Sequence, residues 1–201
     1  MSTEKPLEGG PFITHEVFNQ VPPVVDNNLY TGDQIFFEAV LRYDGMWAHR
    51  TLKEFGARMG SAEVREWARQ ANEFEPVLKT HDRTGNRIDL VEFHPAWHNL
   101  MSLATEYGMH NLPWSSTKPG THLVRAAMMF MAYQTEAGHC CPISMTYSVV
   151  PALMKQPELA EKWVPLISNN AYDGRLLRAA EKGSAIFGMG MTEKQGGSDV
   201  R

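Results

Sequence analysis

The stretch Ser184–Arg201, SAIFGMGMTEKQGGSDVR, decides how the rest of the chain is read. Ser184, Ala185, Ile186 and Phe187 are small or apolar and suit a strand. Gly188-Met189-Gly190-Met191 then opens into Thr192-Glu193-Lys194-Gln195-Gly196-Gly197-Ser198-Asp199. A strand feeding a polar, glycine-rich loop can lay backbone N–H groups against an anion or a cofactor ring, because glycine has no Cβ in the way. Thr192 and Ser198 bracket the loop with hydroxyls that donate or accept. The same composition also suits an ordinary exposed turn with a tail.

What precedes this stretch is predicted to be mainly helical. Ser61 can cap a helix in which Val64, Trp67, Ala68 and Ala71 share one face at i, i+3, i+4, i+7. An earlier helix carries Leu52, Phe55 and Met59 and stops at Gly60. Thr31, three residues before Gln34, has capping-box spacing for the first helix. Pro95 suits the first turn of another, with Trp97, Leu100, Met101 and Ala104 repeating before Gly108. Leu123 to Ala137 is the most apolar run, and its methionines read as core filler or as a soft pocket wall. Pro142 and Pro157 open two further helices, and Pro151 bends or breaks the first of these. Val77–Leu78 and Ile88–Phe93 flank a turn at Thr84-Gly85-Asn86, so a hairpin or a loop fits there. Residues 1–10 are polar and expected to be disordered. Residues 11–30, broken by Pro22-Pro23, are expected to form an arm packed over the core.

Composition excludes several functions. The formal net charge is −4 and nothing in the sequence is a basic stripe of the kind that grips a phosphate backbone, so nucleic-acid binding gets no support from this segment. No uninterrupted apolar run reaches the ~18 residues of a membrane span. The two cysteines, Cys140 and Cys141, are adjacent, which precludes a disulfide framework and implies a reducing, cytoplasmic setting. No partner base marks Cys141 as a nucleophile. His94 and His98 stand four apart, as metal ligands can, but no third ligand is evident. The hydroxyls of Ile143-Ser144-Met145-Thr146-Tyr147 suit either a cofactor edge or a helix cap.

GMGMTEKQGGSDV, residues 188–200, resembles the flavin-contacting signature of the acyl-CoA dehydrogenases, a Met-Thr-Glu-Pro run leading to Gly-Ser-Asp. Lys194-Gln195 stands where most of that family has proline. The alkylation-response (AidB-like) branch shares this departure, along with the THxVFNQ of Thr14–Gln20 and the CPIxMT of Cys141–Thr146. The resemblance covers the chain beyond residue 10 but only the first part of a longer family protein.

The resemblance implies an N-terminal arm and helical domain over residues 11–183, and the start of an incomplete β domain over residues 184–201. It implies FAD as cofactor, contacted by Met189, Gly190, Met191, Thr192, Glu193, Lys194, Gln195, Gly196, Gly197 and Ser198. Thr192 would meet the flavin pyrimidine edge and Ser198 the pyrophosphate, and CPIxMT would border the flavin and acyl pocket. It implies an acyl-CoA-type substrate and a homo-oligomer, a tetramer in the family, assisted by the arm. The catalytic base and any DNA-contacting region would lie beyond Arg201, so no catalytic residue is assigned and the 201-residue chain is expected to be inactive. The alternative is a non-catalytic helical oligomerisation or binding module.

Overall fold

A computed structural model describes residues 14–15, 18–190, 192 and 194–196. Helix α1 (Gln34–Arg42) begins at Asp33, whose extended backbone lets its carboxylate accept the Phe36 N–H at 2.9 Å. The cap expected at Thr31 does not form. Asn28 Oδ1 takes the Thr31 N–H at 3.0 Å and keeps Thr31 in the turn before the helix.

Helix α2 (His49–Met59) stops at Gly60. A Cβ there would lie 1.8 Å from Asn27 O, so the arm crosses the α2 terminus at a distance only glycine permits. Ser61 caps α3 (Ala62–Glu73) by accepting the Val64 N–H, and Asp26 Oδ1 reaches in from the arm to accept the Ala62 N–H at 2.9 Å. The arm therefore docks through Asp26 to Tyr30, with Leu29 and Tyr30 buried. Its apolar part does not pack on the core as expected: Phe18 and Val21 are 89% and 88% exposed. The two prolines between Val21 and Val24 keep this part extended and away from the helices.

The hairpin is present. β1 (Val77–His81) pairs antiparallel with β2 (Arg87–Glu92), Leu78 opposite Val91. Asp82 closes the turn by accepting the N–H groups of Thr84 and Asn86, and Gly85 takes φ +90°. Helix α4 (Pro95–Glu106) follows, with Pro95 in its first turn and Gly108 beyond its end at φ +72°. A short turn, α5 (Leu112–Ser115), leads to α6 (Thr121–Tyr133), α7 (Cys140–Leu153) and α8 (Pro157–Ile167).

The core lies among α2, α4, α6 and α7, where Leu52, Phe55, Leu100, Met128, Met131 and Ile143 are buried. Each such side chain contributes about 1.5–3 kcal/mol through burial. The α6 methionines are thus core residues. Val150, Leu153 and Ile167 form a second cluster between α7 and α8.

Pro151 lies inside α7, which runs two residues past it. A helical proline removes the N–H that would bond the carbonyl four residues earlier. That carbonyl, on Tyr147, instead accepts the Trp114 indole N–H at 2.9 Å. Trp114 also stacks on Tyr147, with centroids 5.1 Å apart. Among the described residues, no helix is long and apolar enough to cross a membrane.

Candidate functional site

The residues leading into the glycine-rich loop lie in the angle between α7 and α8. Asp173 sets the approach. Its carboxylate accepts two bonds from the Arg175 side chain and a third from the Gly183 N–H at 3.1 Å. The Arg175 guanidinium, with these bonds, holds the Asp173 carboxyl well below its ordinary pKa. Asn169 Nδ2 donates to Gly183 O at 2.8 Å.

From there the chain runs extended. Ser184 and Ala185 are buried. The Ala185 N–H donates to Leu166 O at 3.2 Å, one of the carbonyls a helix leaves free at its C-terminus. The Phe187 N–H donates to Thr146 Oγ1 at 2.9 Å. Ile186 packs toward the main core, whereas Phe187 packs toward the second cluster and meets Trp163 edge-on at 5.2 Å. This alternation is that of a strand. The partners, however, are a helix end and a hydroxyl, because the described residues contain only the β1–β2 sheet.

Beyond Phe187 the anchoring stops. Gly188, Met189 and Gly190 are exposed, as are Thr192, Lys194 and Gln195; Lys194, Gln195 and Gly196 form a turn. A Cβ added at Gly188 or Gly190 would meet nothing within 4 Å. Met191, Glu193, Gly197 and Ser198 fall outside the described residues.

The hydroxyls of α7 do not cap their helix. Ser144 Oγ accepts from Arg125 Nη2 at 3.3 Å, and Arg125 lies 3.7 Å over the Tyr147 ring centroid. Thr146 Oγ1 donates to Pro142 O at 2.7 Å besides accepting from Phe187. Glu136 instead holds the turn ahead of α7, accepting the N–H groups of Gly138 (2.6 Å) and His139 (2.7 Å) and bonding His139 Nδ1 at 2.7 Å. Burial pushes the Glu136 carboxyl up, but these bonds outweigh it and bring the pKa down to about 2. Burial, reinforced by the Glu136 charge, pushes the Cys140 thiol up to about 12, so it is not a nucleophile at neutral pH. Cys141 is exposed.

The two histidines singled out by spacing serve separate ends. His94 Nδ1 caps α4 through the Ala96 N–H at 3.2 Å, and His98 Nδ1 meets the Tyr172 hydroxyl at 3.1 Å. His98 and Tyr172 line a cavity of about 400 Å³ beside β2. An open apolar groove of about 470 Å³ runs between α1 and α6, past Ile35, Phe36 and Phe130. The anchoring roles of Thr146, Asn169 and Asp173 carry no signature in the sequence, since their partners are backbone groups distant along the chain.

The family described as "Adaptive response protein AidB N-terminal domain" matches residues 19–174. "Putative acyl-CoA dehydrogenase AidB" of Escherichia coli is 42% identical over 189 residues, which is 93% of this chain and 35% of that protein. "Acyl-CoA dehydrogenase family member 11" of Caenorhabditis elegans is 29% identical over 190 residues, 91% of this chain and 30% of that one. Among solved structures, Bd2924 in its apo form has a TM-score of 0.76 at 22% identity, covering 90% of this chain and 35% of that one. Caenorhabditis elegans ACDH-11 in complex with C11-CoA has a TM-score of 0.72 at 24% identity, covering 92% of this chain and 32% of that one. The chain thus spans about a third of the length of the curated relatives it matches. With 19–174 accounted for by one family and the fold shared with these neighbours, the chain belongs to the AidB N-terminal domain family, a homologue of the acyl-CoA dehydrogenases.

Proposed function

We propose that this chain is the N-terminal part of an FAD-dependent, acyl-CoA dehydrogenase-like oxidoreductase of the alkylation-response branch, acting in the cytoplasm. Residues 189–198 would supply contacts to the flavin. The observation that carries the reading is the junction at Phe187: a firmly bonded extended segment ends there and an exposed glycine-rich loop begins. Neither packing nor a left-handed backbone calls for glycine at 188 or 190, since both border open space and neither takes a positive φ of that kind. A site where a ligand approaches the backbone closely favours glycine for that reason, so the residues present fit a flavin.

Bound here, FAD would supply the hydride acceptor for oxidation of an acyl chain. The chain's own part is to bind and orient. Thr192 and neighbouring backbone N–H groups would donate to the flavin's pyrimidine edge, where negative charge develops on reduction. Ser198 and the Gly196-Gly197 backbone would approach the pyrophosphate. Met189, Gly190 and Met191 would lie under the ring, with Glu193, Lys194 and Gln195 completing the turn. An acyl-CoA-type substrate is supported by the C11-CoA complex of the ACDH-11 neighbour.

Titration of FAD into the full-length gene product tests this, followed by flavin fluorescence. Thr192→Ala and Ser198→Ala should each weaken binding, by roughly tenfold for one lost hydrogen bond to a charged group. Unchanged affinity in both variants would remove the proposed contacts.

A second reading rests on a different observation. The exposed Phe18, Val21 and Val24 of the arm, and the open groove between α1 and α6, fit a helical module that associates with other subunits. Sedimentation of the arm-deleted protein separates the two readings. Loss of assembly with intact FAD binding makes the arm an accessory to the flavoprotein, whereas assembly without any FAD binding leaves the module alone.

A further inference from the structure

We infer that Thr146 is a positioning residue for the flavin loop: its hydroxyl fixes the backbone register at which the chain leaves the helical body. The inference rests on the flavin reading above and concerns a residue outside the loop itself.

A threonine hydroxyl has one proton and two acceptor sites. In α7 the Thr146 proton is committed to Pro142 O at 2.7 Å. The oxygen is therefore turned outward as an acceptor only, and the Phe187 N–H meets it at 2.9 Å. Thr146 is fully buried, so this acceptor is shielded from water. The bond spans 41 positions of sequence and is made to the last residue before Gly188.

Register matters here more than affinity. In an extended segment, a slip of one residue sends every side chain to the opposite face. Ser184 and Ala185 are too small to resist such a slip by shape, and Gly188 and Gly190 have no side chain to fix it. Past the Asp173 and Asn169 bonds at Gly183, two features oppose it: the Ala185 N–H on Leu166 O, and the Phe187 N–H on Thr146 Oγ1 with the Phe187 ring against Trp163. Only the second lies at the loop's entry. Threonine in a helix interior commonly bonds back to the carbonyl four residues earlier, and this geometry fixes the direction in which Thr146 Oγ1 accepts.

The test compares Thr146→Val, which keeps the shape and removes the acceptor, with Thr146→Ser, which keeps the acceptor. Both are made in the full-length gene product, with Thr146→Ala as a second hydroxyl-free variant should valine not fold. Amide hydrogen exchange at Phe187, FAD affinity and the bound-flavin absorbance spectrum are read in each. Thr146→Val should speed Phe187 exchange roughly tenfold and weaken FAD binding roughly five- to tenfold, as for one buried hydrogen bond. Exchange at Met128 and Met131 in α6 should not move, and Thr146→Ser should restore the wild-type values.

Equal Phe187 exchange in Thr146→Val and wild type would overturn the inference, as would loosening spread evenly through α6 and α7. Faster exchange at Phe187 with unchanged FAD affinity and spectrum would also overturn it, while leaving the flavin reading in place. Absence of FAD binding in the wild-type protein would sink the flavin reading, and this inference with it.

Discussion

Two short segments lie against the same helical body, one entering it and one leaving it; both are hydrogen-bonded to it, but they differ in what they bury. The entering segment, Asp26 to Tyr30, ends in an apolar plug. Tyr30 is fully buried, edge-on to Phe36 and Phe37 at 5.6 and 5.5 Å. The leaving segment, Gly183 to Phe187, buries only the small residues Ser184 and Ala185, and is held by Asp173, Asn169, Leu166 O and Thr146. An apolar plug contributes free energy in proportion to buried area but is non-directional. Hydrogen bonds contribute less each, yet they specify which backbone group sits where. The first segment adds an apolar plug to its hydrogen bonds, whereas the second relies chiefly on hydrogen bonds for its position.

The largest test of this contrast is Tyr30→Ala. Removing a fully buried aromatic ring costs about 3–5 kcal/mol, to be read from urea unfolding. A cost below about 1 kcal/mol would mean that the arm, not its plug, holds the entry side.

Acid should act on the exit side. Glu136 holds the turn that leads into α7, the helix that carries Thr146, and faces His139, Asn72 and Cys140. Its pKa falls from 4.5 to about 2 on folding. A depressed carboxyl stabilises the fold above its unfolded value, and that stability is lost as pH falls from about 4.5 toward 2. The shift is equivalent to ~3 kcal/mol. Urea unfolding at a series of pH values between 5.5 and 2.5 should show this decline, and Glu136→Gln should flatten much of it. The Tyr30→Ala penalty should be the same at both ends of the range, since that plug does not titrate there.

Trp114→Phe should cost about 0.5–1.5 kcal/mol, because it takes the indole donor from the Tyr147 carbonyl. Pro151→Ala supplies an N–H four residues on from that carbonyl, so in its background the same substitution should cost clearly less. A double-mutant cycle on unfolding free energies reads the coupling. Equal costs in both backgrounds would show that the indole contributes through its ring, stacked on Tyr147, rather than through its N–H.

The fold was legible where its signals are local. Ser61, Pro95, Gly108 and Pro157 mark helix boundaries because each acts on backbone groups within a turn of itself. Thr31 misled because Asn28, three residues earlier, competes for its N–H. Pro151 was read as a bend or break because the rescuing donor, Trp114, lies 33 residues away and nothing near Tyr147 announces it. The arm's apolar residues read as packed over the core because hydrophobicity alone does not say against what a side chain packs. At the candidate site, the loop was visible through its glycines and hydroxyls. The platform beneath it was not, since Thr146 and Asp173 hold backbone N–H groups, which every residue except proline carries.

The smallest expected effect is the sharpest comparison, because it deletes a hydroxyl from each side. Among the described residues, Tyr30 Oη is buried without a hydrogen-bond partner. Tyr30→Phe removes a group that lost its water on folding and gained nothing, so stability should stay within about 1 kcal/mol of wild type or rise. Thr146→Val removes a hydroxyl that makes two bonds, and should loosen Phe187. Urea unfolding and amide exchange on the two variants give one result if plug and clamp are distinct, and another if they are not. A destabilised Tyr30→Phe would mean that the Tyr30 hydroxyl itself makes a directed polar contact, and the distinction between an apolar plug at one end and a hydroxyl clamp at the other would fail.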